Sequence, residues 1–150
     1  MLWYHRPVRD NLPGLALAGA GQVATTRLRQ ALAAHDLKPG HARVLMLLAE
    51  EGATGQQALV EALGVDPSVL VAMLNDLERA RLAERRRDPT DRRRHIVEIS
   101  PDGTRLVGDV YTSIAVVEAE LFANLDAAEI GTLQRLLARI KASADDQACE

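Results

Sequence analysis

The sequence predicts a mainly α-helical fold with a small β component (α+β), and two observations support that prediction. Apolar residues recur at helical spacing over most of the chain, in segments separated by Gly, Pro and capping residues. One stretch, residues 82–99, changes to the alternating pattern typical of half-buried strands. With 150 residues, 47% of them hydrophobic and 26% charged, we expect residues 1–150 to form a single domain.

Three helices are predicted before residue 64. Residues 12–35 carry apolar side chains at helical spacing, and residues 40–51 repeat the pattern. Thr54 and Gln57 then have the spacing of a capping box, which would begin a short helix ending near Leu63.

The next segment predicts a tight turn between two helices. Gly64 permits the positive φ that such a turn needs. Asp66 is the expected N-cap of the following helix, with Pro67 at its first position and Arg79 near its end. The residues expected to pack these two helices together are Leu59, Leu63, Val65, Leu70 and Met73. This pattern indicates a helix-turn-helix.

A β-hairpin is predicted directly after the helix-turn-helix. Residues 82–87 and 95–99 alternate, with Val97 and Ile99 facing inward, and a polar, turn-forming stretch separates them. A helix-turn-helix followed by a hairpin with a basic tip is a winged helix, which we assign to residues 37–100.

Two amphipathic helices are predicted at the C-terminal end. Ser100 and Pro101 begin a helix that continues to about residue 122, and Asp126 and Glu129 resemble a second capping box. Their apolar stripes are Leu106, Val110, Ile114, Val117 and Leu121, and then Ile130, Leu133, Leu137 and Ile140. Because these stripes belong to no other obvious core, residues 101–144 are predicted to be dimerisation helices.

The charge is distributed unevenly. The net charge is −3, and 16 of the 18 basic residues are Arg. Residues 79–94 hold eight Arg and three acidic residues, a local charge of +5. One basic element on an acidic body indicates a nucleic-acid surface. Only 3% of the residues are aromatic, and none lies in the basic element, which favours duplex DNA over stacked single strands.

The sequence predicts no catalytic residue, cofactor or metal site. The histidines are scattered, at His5, His35, His41 and His95, and no nucleophile or phosphate-loop motif is present. Cys149 is the only cysteine, so the chain has no internal disulfide, and we expect a cytoplasmic protein. No apolar run approaches the roughly 18 residues that span a membrane.

Residues 54–103 resemble the MarR (multiple antibiotic resistance regulator) family. The similar segments are Leu63-Gly64-Val65-Asp66-Pro67-Ser68, Leu77-Glu78-Arg79-Ala80-Arg81-Leu82, the run from Arg85 to Arg94, and Val97 to Gly103. The family's wing signature is Asp, any residue, Arg, then a hydrophobic strand ending in Thr or Ser and a Gly shortly after. Asp91, Arg93, Ile99, Ser100 and Gly103 fit that signature in order and spacing.

The resemblance implies a homodimeric winged-helix transcription regulator, usually a repressor, that binds a palindromic operator in double-stranded DNA. It also implies that residues 12–35 form the dimer interface together with residues 101–144, and that a small phenolic or aromatic-acid ligand lowers DNA affinity. We expect the ligand pocket between these helices and the winged-helix lobe, around residues 12–48 and 106–117. The family usually has Gly at the position of Arg81. We therefore expect a positive φ at Arg81, with about 1 kcal/mol of strain.

The helix from Asp66 to Arg79 is predicted to present one face to the major groove. Its buried stripe would be Leu70, Met73, Leu74 and Leu77, and its exposed face would be Ser68, Val71, Ala72, Asn75 and Arg79. We expect Ser68 to donate to a phosphate or base edge and Asn75 to pair with adenine or a phosphate. Arg79 is expected on a phosphate, with Val71 and Ala72 against thymine methyl groups.

The hairpin is predicted to add the remaining DNA contacts. Arg92 and Arg93 at the tip would enter a minor groove or bind phosphates, together with Arg94. On the first strand we expect Arg85, Arg86 and Arg87 to divide between phosphate contacts and internal pairs, with Arg86 pointing away from its two neighbours. Asp91 is expected to orient an Arg through a bidentate pair.

Two alternatives remain open from the residues alone. A winged helix could serve as a protein-interaction module without DNA binding. Gly19-Ala20-Gly21-Gln22-Val23-Ala24 also matches a loose dinucleotide fingerprint, which would make the chain a small nicotinamide-dependent oxidoreductase if a strand preceded it.

Overall fold

The computed structural model describes residues 12–147 and has the predicted mainly helical fold with a small antiparallel sheet. Its elements are α1 (Pro13–Ala33), α2 (Pro39–Glu51), β1 (Thr54–Gly55), α3 (Gln56–Leu63), α4 (Pro67–Arg79), β2 (Ala83–Arg87), β3 (His95–Ile99), α5 (Pro101–Leu121) and α6 (Ala127–Gln147). The chain divides within α5 into two compact units, of which one ends at Ile114 and the other begins at Ala115.

The core of the first unit lies among α2, α3, α4, the sheet and the N-terminal half of α5. Its most deeply buried side chains are Val44, Leu45, Leu48, Leu59, Leu70, Leu74, Leu77, Val97 and Val110. The four residues predicted as the inner stripe of α4 are all buried. Helical spacing in the sequence therefore identified which face of α4 packs into the core of the first unit and which face is exposed.

The turn between α3 and α4 has the predicted helix-turn-helix geometry. Gly64 ends α3 at φ +62°, and Pro67 begins α4 after Asp66. Asp66 is the N-cap by position, but its side chain makes no capping hydrogen bond. Its carbonyl oxygen instead accepts from the backbone N–H groups of Val69 and Leu70.

The predicted capping box at Thr54 is wrong. Thr54 and Gly55 form β1, which pairs with β3, and the hydroxyl of Thr54 donates to the carbonyl of Gly52 at 2.8 Å. Helix α3 begins only at Gln56. Backbone pairing with a strand some 40 residues further on takes precedence over a local cap that the residue types alone permit.

The hairpin of β2 and β3 is the predicted wing. The strand order is β1-β3-β2, and Arg85 pairs with the buried Val97 in antiparallel register. After β3, the hydroxyl of Ser100 accepts from the N–H of Gly103 at 3.0 Å, which confirms the predicted start of α5. A Cβ atom on Gly103 would lie 2.2 Å from the carbonyl oxygen of Leu82, so the close approach of α5 requires glycine here.

A left-handed residue joins α4 to the wing. Arg81 has φ +59°, as predicted. Leu82 N–H donates to the carbonyl of Leu77 and Arg81 N–H to that of Glu78, the two bonds of a Schellman motif. Asp36 (φ +55°) ends α1 in a similar way, which the sequence did not predict.

The capping box predicted for α6 is present. Asp126 N–H donates to Glu129 Oε2 at 2.9 Å, and Glu129 N–H donates to Asp126 Oδ1 at 2.8 Å. The predicted stripe of α5 is correct in outline, but the helix buries Gly103, Val107 and Val110, so Val107 was missed. Helix α1 is continuous through Gly19 and Gly21, which contradicts the dinucleotide-binding alternative because these glycines lie within a helix and not between a strand and a helix.

Candidate nucleic-acid interface

The outer face of α4 carries few charges. Ser68, Ala72 and Asn75 are exposed, and Val71 is half-buried. Val69, which the sequence did not single out, is 46% exposed and lies beside Ser68 in the first turn of the helix. The N-terminal half of α4 therefore presents small and apolar side chains, which suit contact with methyl groups and base edges.

Arg79, at the end of α4, belongs to a chain of three side chains. Its Nη1 donates to Asp76 Oδ1 at 3.0 Å, and Asp76 Oδ2 accepts from Nε2 of His41 in α2, also at 3.0 Å. The hydrogen bond from His41 is the main cause that lowers the pKa of Asp76, and Arg79 adds to it. His41 Nδ1 is buried and has no hydrogen-bond partner among residues 12–147.

Arg85 is held in place by α4. Glu78 accepts from the backbone N–H of Arg85 at 2.8 Å, from its Nε at 3.1 Å and from its Nη2 at 2.6 Å. The same Nη2 also donates to Asn75 Oδ1 at 2.5 Å. The hydrogen bonds between Glu78 and Arg85 lower the pKa of Glu78 and raise that of Arg85. The group forms a clamp between the wing and α4, which we call the Glu78–Arg85 clamp.

The other two arginines of β2 also have partners. Arg86 forms an ion pair with Glu98 of β3 at 3.1 Å, and Arg87 Nη1 donates to the carbonyl oxygen of Arg92 at 2.6 Å. The partners of Arg85 and Arg86 lie on different elements, α4 and β3. This agrees with the predicted alternation of side chains along β2.

The tip of the wing is open to solvent. Arg92 and Arg93 are exposed, and within the described part of the chain their guanidinium groups form no hydrogen bond or ion pair. Asp91 organises the tip: its Oδ1 accepts from the N–H of Arg93 at 3.0 Å, and its Oδ2 lies 3.5 Å from Nε of Arg94. The contact with Arg94 is longer than the hydrogen-bonded, bidentate pair that the sequence predicts.

Polar contacts also join α5 to α2 and to the turn that follows α1. His35 Nε2 lies 2.8 Å from Ser113 Oγ, and the hydroxyl of Tyr111 donates to Glu50 at 2.7 Å. That hydrogen bond to Glu50 raises the pKa of Tyr111. These four side chains had no predicted role, and they lie in or beside the segments where a ligand pocket was expected.

We also searched the described residues for a metal site and for a helix that could span a membrane. No group of three or more His, Cys, Asp or Glu side chains is arranged to hold a metal ion within residues 12–147. No single helix in that range is long and apolar enough to cross a membrane, although α3 and α4, bent against each other, have the length and composition together. Cys149 and His5 lie outside the described residues.

A helix-turn-helix followed by a three-stranded sheet, whose β2–β3 hairpin forms a wing with an exposed basic tip, defines the winged-helix class. A model of the MarR family matches residues 35–94, from the end of α1 to the tip of the wing. A Thauera aromatica protein described as a putative transcriptional regulatory protein for the hcr operon is 33% identical over 122 residues, which cover 80% of this chain and 74% of that protein. The chain belongs to the MarR family of transcriptional regulators.

Solved structures agree with this assignment. A mutant of MarR from E. coli, in complex with operator DNA, superposes with a TM-score of 0.75 and 25% identity over 88% of this chain and 96% of that chain. BpsR from Bordetella bronchiseptica, whose DNA binding is regulated by 6-hydroxynicotinic acid, has a TM-score of 0.76 and 25% identity over 88% of this chain and 94% of that chain.

Proposed function

We propose that this regulator binds a palindromic operator in double-stranded DNA as a homodimer and acts as a ligand-responsive repressor. The observation that carries the proposal is the position of two exposed guanidinium groups, those of Arg92 and Arg93, which have no partner within residues 12–147 and lie on a wing clamped to α4. A cationic tip beside an exposed helix face suits a duplex, because the tip neutralises phosphates while the helix reaches base edges. The E. coli relative bound to operator DNA supports this interpretation.

The residues divide into three groups in this proposal. Direct contacts from α4 are assigned to Ser68, Val71, Ala72, Asn75 and Arg79. Phosphate or minor-groove contacts from the wing are assigned to Arg92, Arg93 and Arg94. Arg85, Arg86 and Arg87 have partners within the protein, so their first role is to hold the wing, and Asp91 shapes its tip.

The homodimer is proposed from apolar helices that the single chain leaves uncovered. Helix α1 is exposed from Pro13 to Val23, including Leu15 at 56% and Leu17 at 40%. On α6, Leu136 and Ile140 are about half exposed, and no described side chain of α6 is buried. Surfaces of this kind are typical of obligate dimer interfaces. A monomer mass from light scattering at micromolar concentration would contradict the homodimer.

The effector is proposed to be a small phenolic or aromatic acid. BpsR, which responds to 6-hydroxynicotinic acid, supports this chemical class. The Tyr111 hydroxyl and His35 are candidate polar groups for it. Binding would weaken DNA affinity by changing the distance between the two recognition helices, which a palindrome requires to be about 34–36 Å. If such acids raise the melting temperature of the protein but leave operator affinity unchanged, this coupling is wrong.

We further propose that the chain has no catalytic activity and acts in the cytoplasm, where operator DNA is accessible. The proposed DNA-binding role and the membership of a family of transcriptional regulators support this proposal.

A gel-shift experiment tests the DNA-binding proposal. The full chain is titrated onto the DNA immediately upstream of its own gene and onto a random duplex of equal length, at several salt concentrations. We expect tighter binding to the upstream DNA and a steep decrease of affinity with salt, with a log–log slope of about −0.9 for each phosphate contact. A folded dimer that binds neither duplex would contradict the proposal and favour the protein-interaction module.

A further inference from the structure

The exposed amide of Asn75 is held by the wing. Nη2 of Arg85 donates to Oδ1 of Asn75. A guanidinium group carries five N–H donors and no acceptor, so only the oxygen of the amide can face it. The chemistry of Arg85 therefore determines which end of the amide lies next to it, and the NH₂ group of Asn75 points elsewhere.

Arg85 cannot easily move aside, because Glu78 binds it at three atoms, the backbone nitrogen, Nε and Nη2. The Arg85 side chain is only 23% exposed. If the Asn75 amide turned over, its NH₂ group would face the guanidinium, and two donors would stand against each other. The amide would also give up a hydrogen bond from a charged group, which is among the stronger kinds.

We propose that Arg85 is a positioning residue that fixes Asn75 as a hydrogen-bond donor, so that Asn75 selects guanine or thymine over adenine or cytosine. The inference rests on the proposed function, since it assumes that α4 enters the major groove. In that groove guanine O6 and thymine O4 are acceptors, whereas adenine N6 and cytosine N4 are donors. An incoming amino group would meet the NH₂ group of Asn75, and it would have to share the amide oxygen with the charged donor of Arg85.

This assignment differs from the adenine pairing that the sequence predicts for Asn75. A bidentate pair with adenine needs one free donor and one free acceptor on the amide. Here one of the two lone pairs of the acceptor is engaged by a cation, which disfavours a second donor, whereas the NH₂ group has no partner within residues 12–147. The base preference of Asn75 is therefore determined by a residue of the wing, which does not itself need to touch the base.

The decisive variant is Asn75→Asp, because it keeps the shape of the side chain, keeps an oxygen for Arg85 and replaces the donor with an acceptor. Wild-type and variant chains each select sequences from a library of random duplexes, and the enriched pools are sequenced. At one position in each half-site, we expect the wild type to prefer guanine or thymine by about 5-fold, the lower end for a base contact. Asn75→Asp should abolish this preference and favour cytosine or adenine there.

Arg85→Ala tests the positioning role, and Arg86→Ala is its matched control. Both substitutions remove one positive charge from β2, but Arg86 pairs with Glu98 instead of Asn75. We expect Arg85→Ala to admit adenine at the same position, because the released amide can turn, whereas Arg86→Ala leaves the preference unchanged. If Arg85→Ala does not fold, as judged by thermal melting, the Asn75→Asp selection decides.

The outcomes separate this inference from the proposed function. A wild-type chain that enriches no sequence contradicts the proposed function. A wild-type chain that enriches a motif in which no position responds to Asn75→Asp contradicts only the inference and indicates a phosphate contact. Adenine or cytosine at the responding position of the wild-type motif also overturns it.

Discussion

Helix α4 and the wing tip differ in whether their polar side chains have partners within the protein. On α4, Arg79 is paired with Asp76, and Asn75 is held by the Glu78–Arg85 clamp. At the tip, Arg92 and Arg93 are exposed, and their guanidinium groups have no partner within residues 12–147. Paired side chains are held in one geometry, whereas unpaired cations adapt to any phosphate. This difference predicts that α4 supplies sequence choice and that the wing tip supplies affinity.

Removing the free charges should have the largest effect. We expect the double variant Arg92→Ala/Arg93→Ala to weaken binding to upstream and random duplexes together, by about 10²-fold near physiological salt, because a dimer would leave up to four more phosphates without a cation. The log–log salt slope should become shallower by about 1 for each phosphate that the variant no longer neutralises. Gel shifts on both duplexes at several salt concentrations measure this.

Arg135→Ala/Arg139→Ala on α6 is the control, because it removes the same charge from a different unit of the chain. Light scattering must show that this variant remains a dimer, because α6 belongs to the proposed interface. The comparison between helix and wing fails if the wing variant leaves random-DNA affinity and the salt slope unchanged. In that case the hairpin is not a DNA-binding wing.

The next largest effect is expected where Gly103 of α5 packs against Leu82, which lies between α4 and the wing. Gly103→Ala should lower the free energy of unfolding by about 1–3 kcal/mol, because the new methyl group would overlap the carbonyl of Leu82 between α4 and β2. Gly108→Ala on the same helix meets nothing within 4 Å and should be neutral or stabilising. Urea unfolding of both variants checks this, and equal stabilities would contradict the packing argument.

The Glu78–Arg85 clamp predicts a pH dependence. Arg85 lowers the pKa of Glu78 from its ordinary value of 4.5, so the ionised form is favoured in the folded chain. A depressed carboxyl pKa contributes stability above the unfolded-state pKa, and this contribution is lost as the pH falls through the lowered, folded-state pKa. The stability of the chain should therefore decrease below about pH 4.5.

Glu78→Gln should remove about 1 kcal/mol of stability at pH 7, because it keeps one acceptor but removes the charge. It should also flatten the stability profile below about pH 4.5. Chemical denaturation from acid to neutral pH compares the two proteins. If the variant lost stability below about pH 4.5 as steeply as the wild type does, other carboxyl groups would control the acid unfolding.

Much of the fold could be predicted from the sequence because it depends on periodicity and local caps. The stripe of α4, the alternation of β2 and β3 and the capping box at Asp126 are all patterns within one element. Strand β1 was missed because two residues have no period, and its hydrogen bonds go to β3. The residue type at Thr54 predicted a helix cap, but Thr54 pairs with β3 instead.

The candidate site was predictable only as a set of residues. Sequence spacing placed Asn75 and Arg79 on the outer face of α4 and the basic run on the wing. It could not pair Arg85 with Glu78 and Asn75, because the positive φ expected at Arg81 does not by itself determine how β2 packs against α4. The contact of His41 with Asp76 was missed for a similar reason, since it joins two helices at residues 35 positions apart.

That turn gives the smallest expected effect. Arg81→Gly should raise the free energy of unfolding by about 0.5–1 kcal/mol, because φ +59° strains any residue with a Cβ atom, while a more flexible unfolded chain offsets part of the gain. Arg81→Ala is the control, since it removes the same side chain but keeps the strain and should bring no such gain. If glycine and alanine change stability equally in urea titrations, the side chain and not the backbone is responsible. Because the Schellman hydrogen bonds involve only backbone atoms, Arg81→Gly should also keep the Glu78–Arg85 clamp, and with it the base preference assigned to Asn75.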